Sequence, residues 1–186
     1  MTSMAALWLA ILASSVLVFL ASSVIHMASP WHKSDYPRYS RESDVLDALR
    51  PLTLPPGDYF MPRASSMAEM KSSEFIERMS RGPIVLMTVF PNGPVQMGGT
   101  LMRWFLYLVV VGALAAYVAS AALPPGAPSG PVFRVVFATA FASHALGLWQ
   151  LAIWYRRAWS ITIKSTVDAV IYAAITAGVF VWLWPR

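Results

Sequence analysis

Apolar residues gather into four long runs, at positions 5–25, 104–123, 135–154 and 161–184, and polar residues crowd between the first two. A bilayer's hydrocarbon core is about 30 Å thick, so about 20 helical residues cross it. Each run has that length. Inside lipid the backbone is satisfied only by a helix or a closed barrel. The expected fold is therefore an all-α integral membrane protein, a four-transmembrane-helix bundle with a mixed loop segment between spans one and two. A signal peptide is the competing reading of the first run, with Ala21-Ser22-Ser23 as a cleavage-like site. Nothing basic precedes the run and it exceeds the usual signal core, so it reads as a span.

Small residues recur four apart within the spans: Ala6, Ala10 and Ser14; Gly112, Ala116 and Ser120; Ala138 and Ala142; Ala174 and Gly178. Helices in lipid associate through close backbone approach, which such residues permit. These faces are expected to pack on protein, some of them on other subunits.

The polar stretch divides the chain into a first transmembrane helix at 1–27, a segment at 28–103 and a three-helix region at 104–186. Within 28–103, Asp44 to Arg50 reads as a short amphipathic helix stopped by Pro51. Pro55-Pro56-Gly57-Asp58 reads as a turn. Ser66 with Glu69 matches a capping box that opens a helix ending before Gly82. Residues 84–90 read as a strand before the turn Pro91-Asn92-Gly93-Pro94, with a membrane-resting segment as the alternative. The two amphipathic helices are expected to lie along the bilayer surface or cap the bundle.

Composition agrees: 57% of the residues are hydrophobic and 12% charged, against about 25% charged in soluble domains. The net charge of +5 does not describe a nucleic-acid surface. Residues 28–81 hold eight Lys/Arg and eight Asp/Glu, and the excess sits at Arg103, Arg134, Arg156, Arg157, Lys164 and Arg186 against Asp168. Those positions flank spans, where basic residues set topology. Lys33, Arg38, Arg81, Arg103, Arg156, Arg157 and Lys164 share one side; Arg134 and Arg186 share the other. The positive-inside rule then places 28–103 in the cytoplasm and both termini outside. No cysteine occurs, which excludes disulfides, thiolate metal sites and cysteine nucleophiles.

Candidate chemistry rests on few residues. His144 lies mid-span, where ionisable groups are costly and face the bundle. It reads as a cofactor ligand for a haem or chlorin, as a proton-relay member, or as an imidazole bonded to a neighbouring hydroxyl. His26, His32 and Asp35 gather where the first span ends at Pro30, and imidazole with carboxylate suits zinc, iron or copper. Lys164 and Asp168 stand four apart on one helix face, which Tyr172 continues, with Gln150 expected at their level. They read as an intramembrane polar pair or as part of an ion path. No Gly-x-Ser-x-Gly elbow, His-Glu-x-x-His helix or phosphate-binding glycine loop occurs.

His26-Met27, Pro30, His32 and Asp35-Tyr36, the Leu49-Arg50-Pro51 and Pro56-Gly57 turns, Pro91-Asn92-Gly93-Pro94, Thr162-Ile163-Lys164, Asp168, Ile171-Tyr172 and Trp182-Leu183-Trp184-Pro185 together resemble a family of small uncharacterised bacterial four-span membrane proteins. The resemblance covers nearly the whole chain. It implies a multi-pass protein of the bacterial inner membrane and carries no activity and no site. The first expectation is a non-catalytic accessory or scaffold subunit whose partners are the bilayer and other membrane subunits or further copies, with no nucleic acid. The alternative is a cofactor-, pigment- or metal-binding membrane protein using His144 or His26, His32 and Asp35. A membrane enzyme acting on a lipid-soluble substrate stands third.

Overall fold

The computed structural model describes residues 2–186. Four helical segments are long and apolar enough to cross a membrane: Met4–Ala28, Met97–Ala122, Ser129–Tyr155 and Trp159–Trp182. The first is composite. A 3-10 turn at Met4–Leu7 leads into α1 (Trp8–Ser23), and a wider π turn at Val24–Ala28 ends it. The others are α5 (Met97–Ala122), α6 (Ser129–Tyr155) and α7 (Trp159–Trp182). Each spanning helix packs on two others, in the cyclic order α1, α5, α6, α7. The protein is a multi-pass, all-α membrane bundle.

Small side chains set how closely these helices approach. The main core joins Leu7 and Ala10 to Ala115, Ala116, Ala119, Val132, Val136, Ala177 and Phe180. A Cβ added at Gly112 would lie 3.3 Å from the Ile11 side chain and 3.5 Å from its carbonyl, so α1 and α5 depend on that glycine. Ser14, Ser15 and Ser120 are buried, yet their hydroxyls donate to carbonyls of their own helices. They pack as small residues.

The sequence stripes divide. Ala10, Ser14, Gly112, Ala116 and Ser120 are interior and Ala174 is half-buried, whereas Ala6, Ala138, Ala142 and Gly178 are exposed. Ala140, Ala145 and Ala152 of α6 and Ala169, Ala173 and Ala177 of α7 take the interior places. Both helices are rich enough in alanine that spacing alone leaves the inward face open, and their contact with each other selects it.

At the end where α1 begins, backbone groups close the structure. The Thr2 N–H donates to the carbonyls of Ser120 and Leu123, and its hydroxyl donates to Leu123. Trp184 Nε1 donates to the Pro124 carbonyl at 3.1 Å, and the Gly126 N–H donates to Pro185. Helix ends leave carbonyls without intrahelical partners, and these bonds satisfy several of them.

Residues 38–95 form a second compact unit; residues 2–37 belong with the helices. The sequence boundary at 28 moves because residues 29–37 fold onto α7. The second unit holds α2 (Glu42–Leu49), β1 (Gly57–Met61), α3 (Met67–Met70), α4 (Ser73–Arg81) and β2 (Val85–Val89). β1 and β2 pair antiparallel, with α3 and α4 in the connection between them, Gly57 opposite Val89 and Met61 opposite Val85. Thus Gly57 and Asp58 open a strand instead of belonging to a turn. The capping box is displaced by one residue. Ser66 Oγ accepts from the Glu69 N–H, but the Glu69 carboxylate accepts from the N–H and hydroxyl of Ser65. Ser72 caps the next helix by accepting from the Phe75 N–H, so the single expected helix is two.

Candidate metal centre

Pro30 has no N–H and disfavours helix before it, so the first span must end there. The π turn closes with the Ser29 N–H donating to the Val24 carbonyl, while the Ser29 hydroxyl donates to Ile25. Residues 30–35 then turn twice, through Lys33 N–H to Pro30 and Asp35 N–H to His32. This strap lies along the first turns of α7.

A chain of ionisable groups runs from Lys164 through Asp35 and His32 to Asp168, and α7 itself joins its two ends into a ring. Lys164 Nζ donates to Asp35 Oδ1 at 2.7 Å, to the Trp31 carbonyl at 2.8 Å and to Ser34 Oγ at 2.8 Å, using all three of its hydrogens. Asp35 Oδ2 faces His32 Nδ1 at 2.6 Å, and His32 Nε2 faces Asp168 Oδ2 at 2.9 Å. Trp31 Nε1 donates to Asp168 Oδ1 at 3.2 Å. Asp168 is 3% exposed. Facing carboxylates on both sides, the imidazole of His32 satisfies both only when each nitrogen offers a donor or when a cation replaces one proton.

Burial alone would raise the Asp35 carboxyl, but hydrogen bonds from Lys164 and His32, with their charges, outweigh it. The group is held below the usual carboxylate range. Asp35 therefore stays an acceptor and keeps one face of His32 oriented.

His26 completes the cluster from the π turn. Its ring stacks on His32 with centroids 4.2 Å apart and planes 21° apart, and its Nε2 lies 3.3 Å from the Tyr172 hydroxyl. One ligand atom each from His26, His32 and Asp168 lies within 4.8 Å of the others. Bonds of about 2.0–2.2 Å to nitrogen and oxygen require these atoms to draw closer, and the His26 ring to turn out of its stack on His32 and away from Tyr172 to aim a nitrogen at the shared point. Asp35 on the far nitrogen of His32 occupies the position of the outer carboxylate that a metal-bound histidine ordinarily carries.

The residues read from sequence thus regroup. His26 and His32 come together, while Asp35 faces the Nδ1 side of His32 and Asp168 faces its Nε2 side. The expected pair of Lys164 and Asp168 is not bonded; the strap inserts between them and each binds a strap residue instead. Gln150 is exposed and does not reach Asp168. The α6–α7 contact at this level is made one residue earlier, by Trp149 Nε1 donating to Thr166 Oγ1 at 3.2 Å, because one residue turns a helix by about 100°.

His144 lies apart from the ring. Its imidazole sits among Tyr107 and Tyr172, each 5.5 Å away by ring centroid, and Trp104 at 6.3 Å. Among the described residues it makes no hydrogen bond, so the expected tie to a hydroxyl is replaced by aromatic packing. Trp31 and Ser34 were missed by the sequence reading, although Trp31 directly follows the helix-ending proline. Neither a protein-family model, nor a curated protein, nor a solved structure matches this chain.

Proposed function

We propose that this protein is a metal-binding protein of the bacterial inner membrane, holding one divalent transition-metal ion through His26, His32 and Asp168. One observation carries the reading: three donors from the π turn, the strap and α7 converge, with His32 fixed from behind by Asp35. Two imidazoles and a carboxylate suit zinc, iron(II) or manganese and leave coordination positions open. The positive-inside rule supports a strap at the cytoplasmic face and termini outside.

Purified chain in detergent, stripped and reloaded with Zn²⁺ or Co²⁺, should retain about one ion per chain by elemental analysis. His32→Ala and Asp168→Ala should abolish retention. Asp35→Asn should weaken it by about 10–100-fold, as outer-shell losses do. A ring that stays metal-free at micromolar ion would leave it a purely structural ion lock. For topology, single cysteines at Ser65 and Ser129 should label with an impermeant thiol reagent on intact cells only at 129.

A second reading, an accessory subunit, is favoured by the outward position of Ala138, Ala142 and Gly178, with open space around the last. Native co-purification of a stoichiometric partner, disrupted by Ala142→Trp, tests it.

A further inference from the structure

Asp168 also borders a recess of ≈ 260 Å³ on the flank between the π turn and α7, lined by Ile25, Ser29, Trp31, Val167, Asp168 and Ile171. The walls are apolar. Every polar group in the lining is already committed: the Ser29 hydroxyl to Ile25, Trp31 Nε1 to Asp168, and the Asp168 carboxylate to Trp31 and His32. The protein's own side chains therefore offer a polar head group no free partner here, and Asp168 repels an anion.

A bound ion reverses that. A divalent metal held by two neutral imidazoles and one carboxylate carries one net positive charge, while Lys164 and Asp35 cancel each other. A bound cation dominates the local field, and one monoanionic oxygen donor neutralises it. Val167 and Ile171 are one helical turn apart on α7, half-exposed at 43% and 39%, so they offer a track for an alkyl tail on the side that meets lipid.

We propose that the metal-loaded site binds a single-chain amphiphile with a carboxylate head, the head on the ion and the tail along Ile25, Val167 and Ile171. This rests on the metal reading above. The chemistry is shared by a free fatty carboxylate and by a short water-soluble carboxylate, and chain length distinguishes them.

The test uses the full chain loaded with Co²⁺ in a nonionic detergent, reading the cobalt visible spectrum during titration with acetate, octanoate, dodecanoate and dodecylamine. Dodecanoate should perturb the spectrum at concentrations at least about tenfold below acetate, the worth of roughly two buried methylenes. Micelle partitioning is separated by Ile171→Trp and Val167→Trp, which fill the recess at lipid-facing positions and leave the ligands in place. Both should keep cobalt and lose the chain-length gain. Dodecylamine should do nothing. Equal potency of acetate and dodecanoate, or a gain that survives both tryptophans, overturns the proposal while the metal reading stands. Absence of any cobalt spectrum before carboxylate is added overturns both.

Discussion

At the end of the bundle where α1 begins, Leu7, Ala119, Val132 and Phe180 pack near a lid of neutral hydrogen bonds donated to backbone carbonyls by Thr2, Gly126 and the Trp184 indole. At the opposite end, Lys164, Asp35, His32 and Asp168 close a ring of ionisable side chains around the strap. Both ends fasten helix termini, but with different economies. A neutral lid costs little desolvation, and its loss is local. Charges taken out of water cost several kcal/mol each, and apolar packing of similar volume often stabilises as well. The ionic end is therefore more than a fastening needs.

The comparison breaks hardest at Asp168. Asp168→Ala leaves the His32 and Trp31 donors facing nothing, and should destabilise the bundle by about 3–5 kcal/mol, measured by reversible unfolding in mixed micelles. In the wild type, Zn²⁺ at a hundredfold excess over its dissociation constant should add about 2.7 kcal/mol; in the variant it should add nothing. A metal response that survives the change would place the ion elsewhere.

Lys164 sharpens the same contrast. Its side chain is 17% exposed, so Lys164→Met should cost about 1–3 kcal/mol, less than a fully buried pair. Adding Asp35→Leu should restore part of that loss, because the stranded carboxylate is gone. Equal damage from the single and double variants would mean that the two groups are uncoupled.

Acid separates the ends without mutation. The Asp35 carboxyl is held below its usual range, because the bonds from Lys164 and His32 outweigh burial. Its contribution is therefore complete above the unfolded-state value of about 3.9 and fades only as pH falls through the lowered folded value. Hydrogen exchange of strap amides should rise in that window while amides around Phe180 stay protected. In the 38–95 unit, the hydroxyl and N–H of Ser65, with Arg78, hold Glu69 at about 2. That turn should hold until the pH falls to about 2.

The smallest effect belongs to the neutral lid. Trp184→Phe removes one bond to Pro124 and should cost about 0.5–1.5 kcal/mol, with no change in metal retention. A loss of metal there would show that the two ends communicate.

The four spans were legible because length and apolarity follow from the bilayer itself. Individual members of the site were legible too: His26, His32 and Asp35 by their spacing at a span exit, and Lys164 and Asp168 as charges inside an apolar run. That these are one constellation was not. His32 and Asp168 are 136 positions apart, and only the fold of the strap over α7 joins them. The i, i+4 spacing of Lys164 and Asp168 favoured a local pair, but Lys164 and the His32 imidazole set between two carboxylates satisfy more lone pairs than one bridge does. The strand β1 was hidden by Pro55-Pro56-Gly57, which read as a turn. The inward face of α6 was hidden by alternative alanines.

His26 and His32 are six positions apart, and in an unbroken α-helix they would point about 120° away from each other, at about 100° per residue. They stack here because the turn at Val24–Ala28 holds one residue more than an α turn, closed by Ser29 to Val24, and because the chain then leaves the helix. Length in this stretch acts as a phase angle. A point substitution leaves the angle intact, whereas losing or gaining a single codon between 24 and 28 rotates everything beyond it by about 100° and dissolves the pairing with every side chain still present. In descendants of this sequence, the site can vanish through a change that no comparison of residue types at fixed columns would flag.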